Sequence, residues 1–390
     1  MVKKKDSAKN VMYPHSVAKL EYYQSYLKRY LPVLRLAEFT DCINIFDVFC
    51  GTGIYKDGTK GSPILAYEAI KESYYTHQTK KLTPVGLYVN DLVKEKIDGV
   101  ENFLQSVSAD KYCNLGFYNK NAETFLSQIT TFVNKESTKV RNLVLIDPYG
   151  YKGICRKQIS NLLKKKNTEV ILFLPVSQIY RFTGKIVSDE DYEIKALKDF
   201  IDSFFPSQNH PVRNNKVANE LEFIDHIKEA LSFDSKFYSA SYYLQRDDKK
   251  HYYAMFFISP SIYGLQKTLE VKWSLNEETG EGFEQPKAVG LFDDQFKAEK
   301  KAEIYNGLKN KLIEYISNNN EINNNQLYEF TLKNMFLPKH TNEVLRELQN
   351  NNKIEVLDVN SNKKARKNSF YQDYSKYYKN KNVKVLIKII

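Results

Sequence analysis

The chain has 390 residues, 42% of them hydrophobic, which is enough for buried cores in two or three domains and excludes global disorder. No run of about 18 uncharged apolar residues occurs, arguing against a membrane span, and the opening MVKKKDSAKN lacks the apolar segment of a secretory signal. The net charge of +11 lies at the ends: residues 1–35 carry 8 Lys/Arg against 2 Asp/Glu, and residues 296–390 carry 18 against 10. Basic ends on a near-neutral centre suit either a polyanion partner at the periphery or a lysine-rich solvated surface.

Four cysteines, Cys42, Cys50, Cys113 and Cys155, have no CxxC spacing, and the six histidines are dispersed. That pattern reads as reduced thiols in a cytoplasmic protein with no metal site. Residues 16–36 have Leu20, Tyr23, Leu27, Tyr30, Leu31 and Leu34 near helical spacing, with Pro32 as a kink or a division. Strand and helix candidates then alternate. INIFDVF (43–49), VGLYVND (85–91), NLGFYN (114–119), VRNLVLID (140–147) and EVILFLPV (169–176) are buried-type strands separated by helical segments. Five such strands imply a parallel sheet covered on both faces.

Residues 177–230 read as a helical insertion after the fifth strand. KFYSASYYLQRDDKKHYYAMFFISP (236–260) then places two aromatic strands around a polar turn, an antiparallel hairpin. The expected fold is therefore α/β: a doubly wound, mostly parallel seven-stranded sheet with a terminal antiparallel hairpin. By fold-level analogy this is the class I, S-adenosylmethionine-type methyltransferase version of the doubly wound sheet. The expected domains are a basic N-terminal segment and helix at 1–35, the sheet domain at 36–275, a linker at 276–296 and a module at 297–390. In that module three helices precede the strands KIEVLDV and VKVLIKII, a winged-helix pattern. Its basic, tyrosine-rich wing would touch nucleic acid, although winged helices also dock proteins.

Chemistry concentrates at the strand ends. NIFDVFCGTGIYKDGTKGSP (44–63) runs from a strand through glycines to Ser62 and Pro63, good residues to start a helix. It is neither GxxxxGK[ST] nor GxGxxG. Asp47, Phe49, Gly51 and Gly53 are the expected cofactor contacts, since bare main chain permits close approach; a tight strand-to-helix turn is the plainer reading. Asp91 ends the second strand, where a carboxylate accepts from ribose hydroxyls. Asn90 competes for that role, and spacing does not separate the two. After the third strand, Asn121, Ala122 and Glu123 would border an adenine. Asp147, Pro148 and Tyr149 follow the fourth strand and resemble the [DNS]PP[YF] motif of amino-methyltransferases, with one proline missing. There a polar side chain holds an exocyclic amine while the aromatic ring stacks on the base; a strand ending in a Pro-Gly turn is the alternative. Lys152 is a candidate phosphate contact, and Arg181 a candidate for a phosphate or a carboxylate, a solvated arginine at the start of the helical insertion being the plainer reading. His15 and Lys19, one helical turn apart, either close over a cofactor or serve only the start of their helix. Nothing in sequence activates Cys50, which reads as packing.

Taken together, FDVFCGTGIYKDGTKGSP, LIDPYGYKGI, EVILFLPVSQIYRF and FYSASYYLQ…HYYAMFFISP resemble the bacterial three-Cys-motif partner proteins. HSVAKLEYYQSYL is similar to that family's opening helix, and Arg181 matches its arginine. The likeness spans about residues 13–270 and departs at DVFCGTG, where such proteins often have DLFAGPG. It implies a methyltransferase-like fold, S-adenosylmethionine as cofactor, and a partner that carries a three-cysteine motif and is radical-S-adenosylmethionine-like. The expected function is methyl transfer to nucleic acid at an exocyclic base amine. The alternative is an inactive adaptor that delivers nucleic acid to the partner.

Overall fold

The computed structural model describes residues 12–76, 83–183, 192–285 and 293–390. Residues 1–11 of the basic start, 184–191 of the expected insertion and 286–292 of the expected linker lie outside the described residues. The chain divides into two compact units, residues 1–267 with 281–286, and residues 268–280 with 287–390.

The first unit opens with α1 (Pro14–Arg35), which continues unbroken through Pro32. Then follow β1 (Cys42–Asp47), α2 (Ser62–Thr76), β2 (Val85–Asn90), α3 (Lys94–Ser106), β3 (Asn114–Tyr118), α4 (Ala122–Lys135), β4 (Val140–Ile146), α5 (Arg156–Leu163) and β5 (Thr168–Leu174). The expected insertion supplies α6 (Val176–Thr183), α7 (Tyr192–Phe204) and α8 (Glu220–Leu231), after which β6 (Tyr238–Gln245) and β7 (Tyr252–Ser259) form the hairpin. Next come α9 (Ile262–Leu275), whose last turns count with the second unit, and the two-residue strand β8 (Gly282–Phe283).

The sheet order is β3-β2-β1-β4-β5-β7-β6-β8. Strands β1 to β5 pair in parallel, and β7 runs antiparallel to both β5 and β6. The seven expected strands thus take the class I methyltransferase order, and β8 adds a short edge beside β6. It lies at the start of the segment expected to be only a linker.

Strand alternation sorts the side chains onto two faces. Val144, Leu172 and Phe256 face α4, α5, α7 and α8, packing with Phe125, Leu162, Phe200 and Phe223. The opposite residues face α1 and α2, where Tyr26 meets Phe257 at 4.9 Å between ring centroids and Tyr22 meets Tyr242 at 5.3 Å. Tyr22, Tyr23, Tyr26, Leu27 and Leu31 of α1 are all buried. At roughly 2 kcal/mol for each large apolar side chain removed from water, α1 is integral to this core.

The second unit contains α10 (Asp293–Asn318), β9 (Glu321–Asn323), α11 (Asn324–Lys333), α12 (Pro338–Asn350), β10 (Ile354–Asp358) and β11 (Val385–Ile389). Its sheet is β10-β11-β9, antiparallel throughout, so the expected two-stranded ribbon has a third strand. The Asn323 side chain accepts from Asn325 N and Gln326 N and caps α11. Trp273 lies 4.1 Å from His340 between ring centroids and donates Nε1–H to Met335 O at 2.9 Å. Burial pushes the His340 imidazole down to about 4. Lys363, Lys364, Arg366 and Lys367 stand exposed between β10 and β11.

Candidate functional site

The site lies at the carboxyl edge of the parallel strands, where doubly wound sheets leave a crevice. Gly51 and Gly53, in the loop after β1, have φ of 65° and 73°, a region that side chains resist. They serve different ends. A Cβ on Gly53 would come 2.7 Å from Val100 Cγ2, so that glycine lets the loop pack on α3. A Cβ on Gly51 would meet nothing within 4 Å, so the main chain there borders open space. Cys50 between them and β1 is buried, and burial raises its thiol far above the usual range, as the packing reading expects.

Asp91 comes to this loop from the end of β2. Its Oδ2 accepts from Gly51 N at 3.2 Å and faces Lys96 Nζ at 3.4 Å, while Oδ1 accepts from Val93 N at 2.9 Å. Asn90 is spent on the main chain: Nδ2 donates to Val48 O and Lys120 O, and Oδ1 accepts from Lys120 N. The neighbours that sequence spacing left in competition therefore do different work. Asn90 clamps the β1 and β3 loops together, and Asp91 carries the carboxylate on the glycine loop. Asn121 caps α4 by accepting from Thr124 N at 2.8 Å, and half-buried Ala122 packs against the core.

Asp47 is fully buried at the end of β1. Its Oδ1 accepts from Phe49 N at 3.3 Å, while Oδ2 is buried without a hydrogen-bond partner, as is the hydroxyl of Tyr23. Burial, with a smaller push from Asp147, drives the Asp47 carboxyl from 3.8 up to about 7; Ser62, Phe49 N and Lys19 hold back part of the rise.

Asp147, Pro148 and Tyr149 extend from β4. Asp147 Oδ2 accepts from Lys19 Nζ at 2.6 Å, each side chain 18% exposed. Burial works against the Lys19 charge, but Asp147 more than restores it, and the ammonium sits above the usual lysine range. Lys19 also lies 4.7 Å from the Phe173 ring centroid. Pro148 is buried, whereas Tyr149 is 83% exposed, its hydroxyl 2.7 Å from Lys96 Nζ. Lys96 therefore bridges Asp91 and Tyr149, joining the ends of β2 and β4.

The start of α1 and the residues just before it touch three of the edge loops. Met12 N donates to Asp57 Oδ2 in the glycine loop at 3.1 Å, Lys19 reaches Asp147, and His15 Nδ1 lies 3.4 Å from Asp247 Oδ1 in the β6–β7 turn. His15 stacks on Tyr253, and Tyr253 on Phe173. Burial lowers the His15 imidazole, with Asp247 opposing. Arg181 is exposed on α6 and lines a cleft beside the β6–β7 turn; Lys152 is exposed in the loop before α5. Among the described residues no group of His, Cys, Asp and Glu side chains is placed to hold a metal ion, and no helix is long and apolar enough to cross a membrane.

Sequence reading missed Lys96, Tyr253, Arg246 and His251. Lys96 resembled any lysine in the first turn of a helix. The others stand on a hairpin whose fold back to β5 no local motif announces.

Residues 276–361 match the family described as the GMT-like wHTH domain, so the second unit carries a winged helix-turn-helix domain. No curated protein matches the chain. Several solved structures are similar. An O-methyltransferase from Bacillus cereus in complex with SAH is 8% identical over 64% of this chain and 84% of its own, with a TM-score of 0.32. A putative O-methyltransferase from Klebsiella pneumoniae is 11% identical over 65% and 93%, with a TM-score of 0.30. An uncharacterized protein from Listeria monocytogenes serotype 4b is 10% identical over 83% and 97%, with a TM-score of 0.28. Likenesses this distant add nothing to the strand order, on which the fold rests.

Proposed function

We propose that this chain is a cytoplasmic S-adenosylmethionine-dependent methyltransferase that acts on nucleic acid at an exocyclic base amine, adenine N6 or cytosine N4. In this reading it works beside a three-Cys-motif partner protein. One observation carries the proposal: bare main chain at Gly51 borders open space, with the Asp91 carboxylate bonded to its N–H and an unpartnered Asp47 oxygen at the adjoining strand end. Those donors and acceptors fit a nucleoside that carries an amino-acid tail. Asp91 would accept from the ribose hydroxyls, Gly51 and Gly53 would admit the ligand to the main chain, and Asp47 would face its ammonium. Phe49, Asn121 and Ala122 would border the adenine, with Asn90 holding the loops in place.

The cofactor, when bound, supplies a methyl group made electrophilic by its sulfonium. The chain's part is to hold the amine. Asp147 has one oxygen engaged by Lys19, and the other would accept a hydrogen from the target nitrogen. The Pro148 carbonyl would accept a second hydrogen, and Tyr149 would stack on a base drawn out of its helix. Positioning of this kind supplies much of the rate. Lys152 and Arg181 would contact phosphate.

A second reading, a non-enzymatic adaptor, is favoured by the missing proline and by the state of Asp147 and Tyr149, each already engaged by a lysine. Transfer of radiolabelled methyl to DNA or RNA separates the two. The enzyme reading expects label on one nucleic acid, lost in Asp147→Ala while cofactor binding is retained. Label on neither, with nucleic acid still bound, favours the adaptor.

A further inference from the structure

The junction of β5 and α6 meets the β6–β7 turn at the same sheet edge, because Leu174 pairs with Ala254 across the β5–β7 ladder. Between them lies a cleft of about 160 Å³, lined among others by Ser177, Gln178, Arg181, Arg246, His251 and Tyr253. Two guanidinium groups and an imidazole line it, and among the described residues no carboxylate does. The nearest acids already have partners, two of them among the cleft's own residues. Asp247 takes His15 and Gln285 Nε2, Asp248 takes His251 Nδ1 at 2.5 Å, and Glu220 lies 3.5 Å from Ser177 Oγ. Among the described residues neither Arg181 nor Arg246 forms an ion pair. Ser177 Oγ is itself committed, accepting from Tyr252 N at 2.7 Å. Arg246 lies 5.8 Å over the Tyr253 ring, which stacks at 5.1 Å on Phe173, the ring beneath Lys19. Packed side chains thus connect the cleft to Asp147.

We propose that this cleft is an anion subsite that grips a phosphate of the substrate next to the base held at Asp147 and Tyr149. The inference rests on the reading of the edge as a nucleic-acid methylation site, and adds a grip separate from the winged helix. Two guanidinium forks offer more oriented donors than one carboxylate can use, whereas the non-bridging oxygens of a phosphate accept from both. Gln178 adds an amide donor. The substrate it selects is a nucleotide or polynucleotide.

Calorimetry on the full chain tests this with inorganic phosphate, adenosine 5′-monophosphate and adenosine as probes. The variants are Arg181→Gln/Arg246→Gln and a control with the same loss of charge on exposed residues elsewhere, Lys157→Gln/Lys198→Gln. Wild type and control should bind phosphate and the monophosphate alike, with adenosine weaker. The cleft variant should lose at least about tenfold in affinity for both anions, as expected when charge-assisted hydrogen bonds are removed, with its melting midpoint unchanged. No binding of either anion by wild type, or an equal loss in the control, overturns the subsite. S-adenosylmethionine is titrated into all three proteins. If it binds none of them while the anion pattern holds, the cofactor reading fails and the subsite stands.

Discussion

Asp47 shows how a single buried group ties the sheet to its chemistry. Its carboxyl, normally at 3.8, is raised to about 7 because burial removes water from the charged form. The folded chain therefore keeps this proton at pH values where the unfolded chain has released it. Stability contributed by the group falls as pH rises from about 4 to about 7 and is flat above that. Asp47→Asn removes the dependence, and the stability difference between wild type and variant should change by roughly 4 kcal/mol over that window. Urea unfolding at several pH values reads it, and parallel curves would show that Asp47 ionises as it does in water. The location of this group was legible in sequence, because Asp47, Gly51 and Asp91 each stand at the end of an apolar strand. The Lys19–Asp147 pair was not, because its partners are 128 residues apart and meet only when α1 docks.

At the scale of elements, α1 is the organiser of the edge. Its opening turns touch the β4 loop and the β6–β7 turn, Met12 just before it touches the glycine loop, and its middle is buried through its own Tyr22, Tyr23 and Tyr26. Lys19→Met leaves Asp147 largely out of water without its cation and should cost about 3 kcal/mol. Lys19→Met/Asp147→Leu should recover much of that loss. A double variant no more stable than the single one would show that the pair does not hold α1 down. The long strands and α1 were readable from apolar runs and helical spacing. The short strands β8 and β9 were not, since two or three residues carry no period and pair only because tertiary packing brings them to an edge.

Across the whole molecule, an α/β unit with the class I methyltransferase strand order is joined to a winged helix-turn-helix unit in one chain. Exposed Lys363, Lys364, Arg366 and Lys367 place basic charge on the wing. If the wing contacts phosphates, replacing all four by Gln should flatten the slope of log affinity for DNA or RNA against log salt by roughly 3. An unchanged slope would make the wing a protein-docking surface. The account as a whole stands on the space beside Gly51, and titration of S-adenosylmethionine into the full chain, monitored by calorimetry, tests it most directly. Saturable binding by wild type, abolished in a folded Gly51→Ala variant, is the predicted result; no binding by wild type, or equal binding by both, would contradict it.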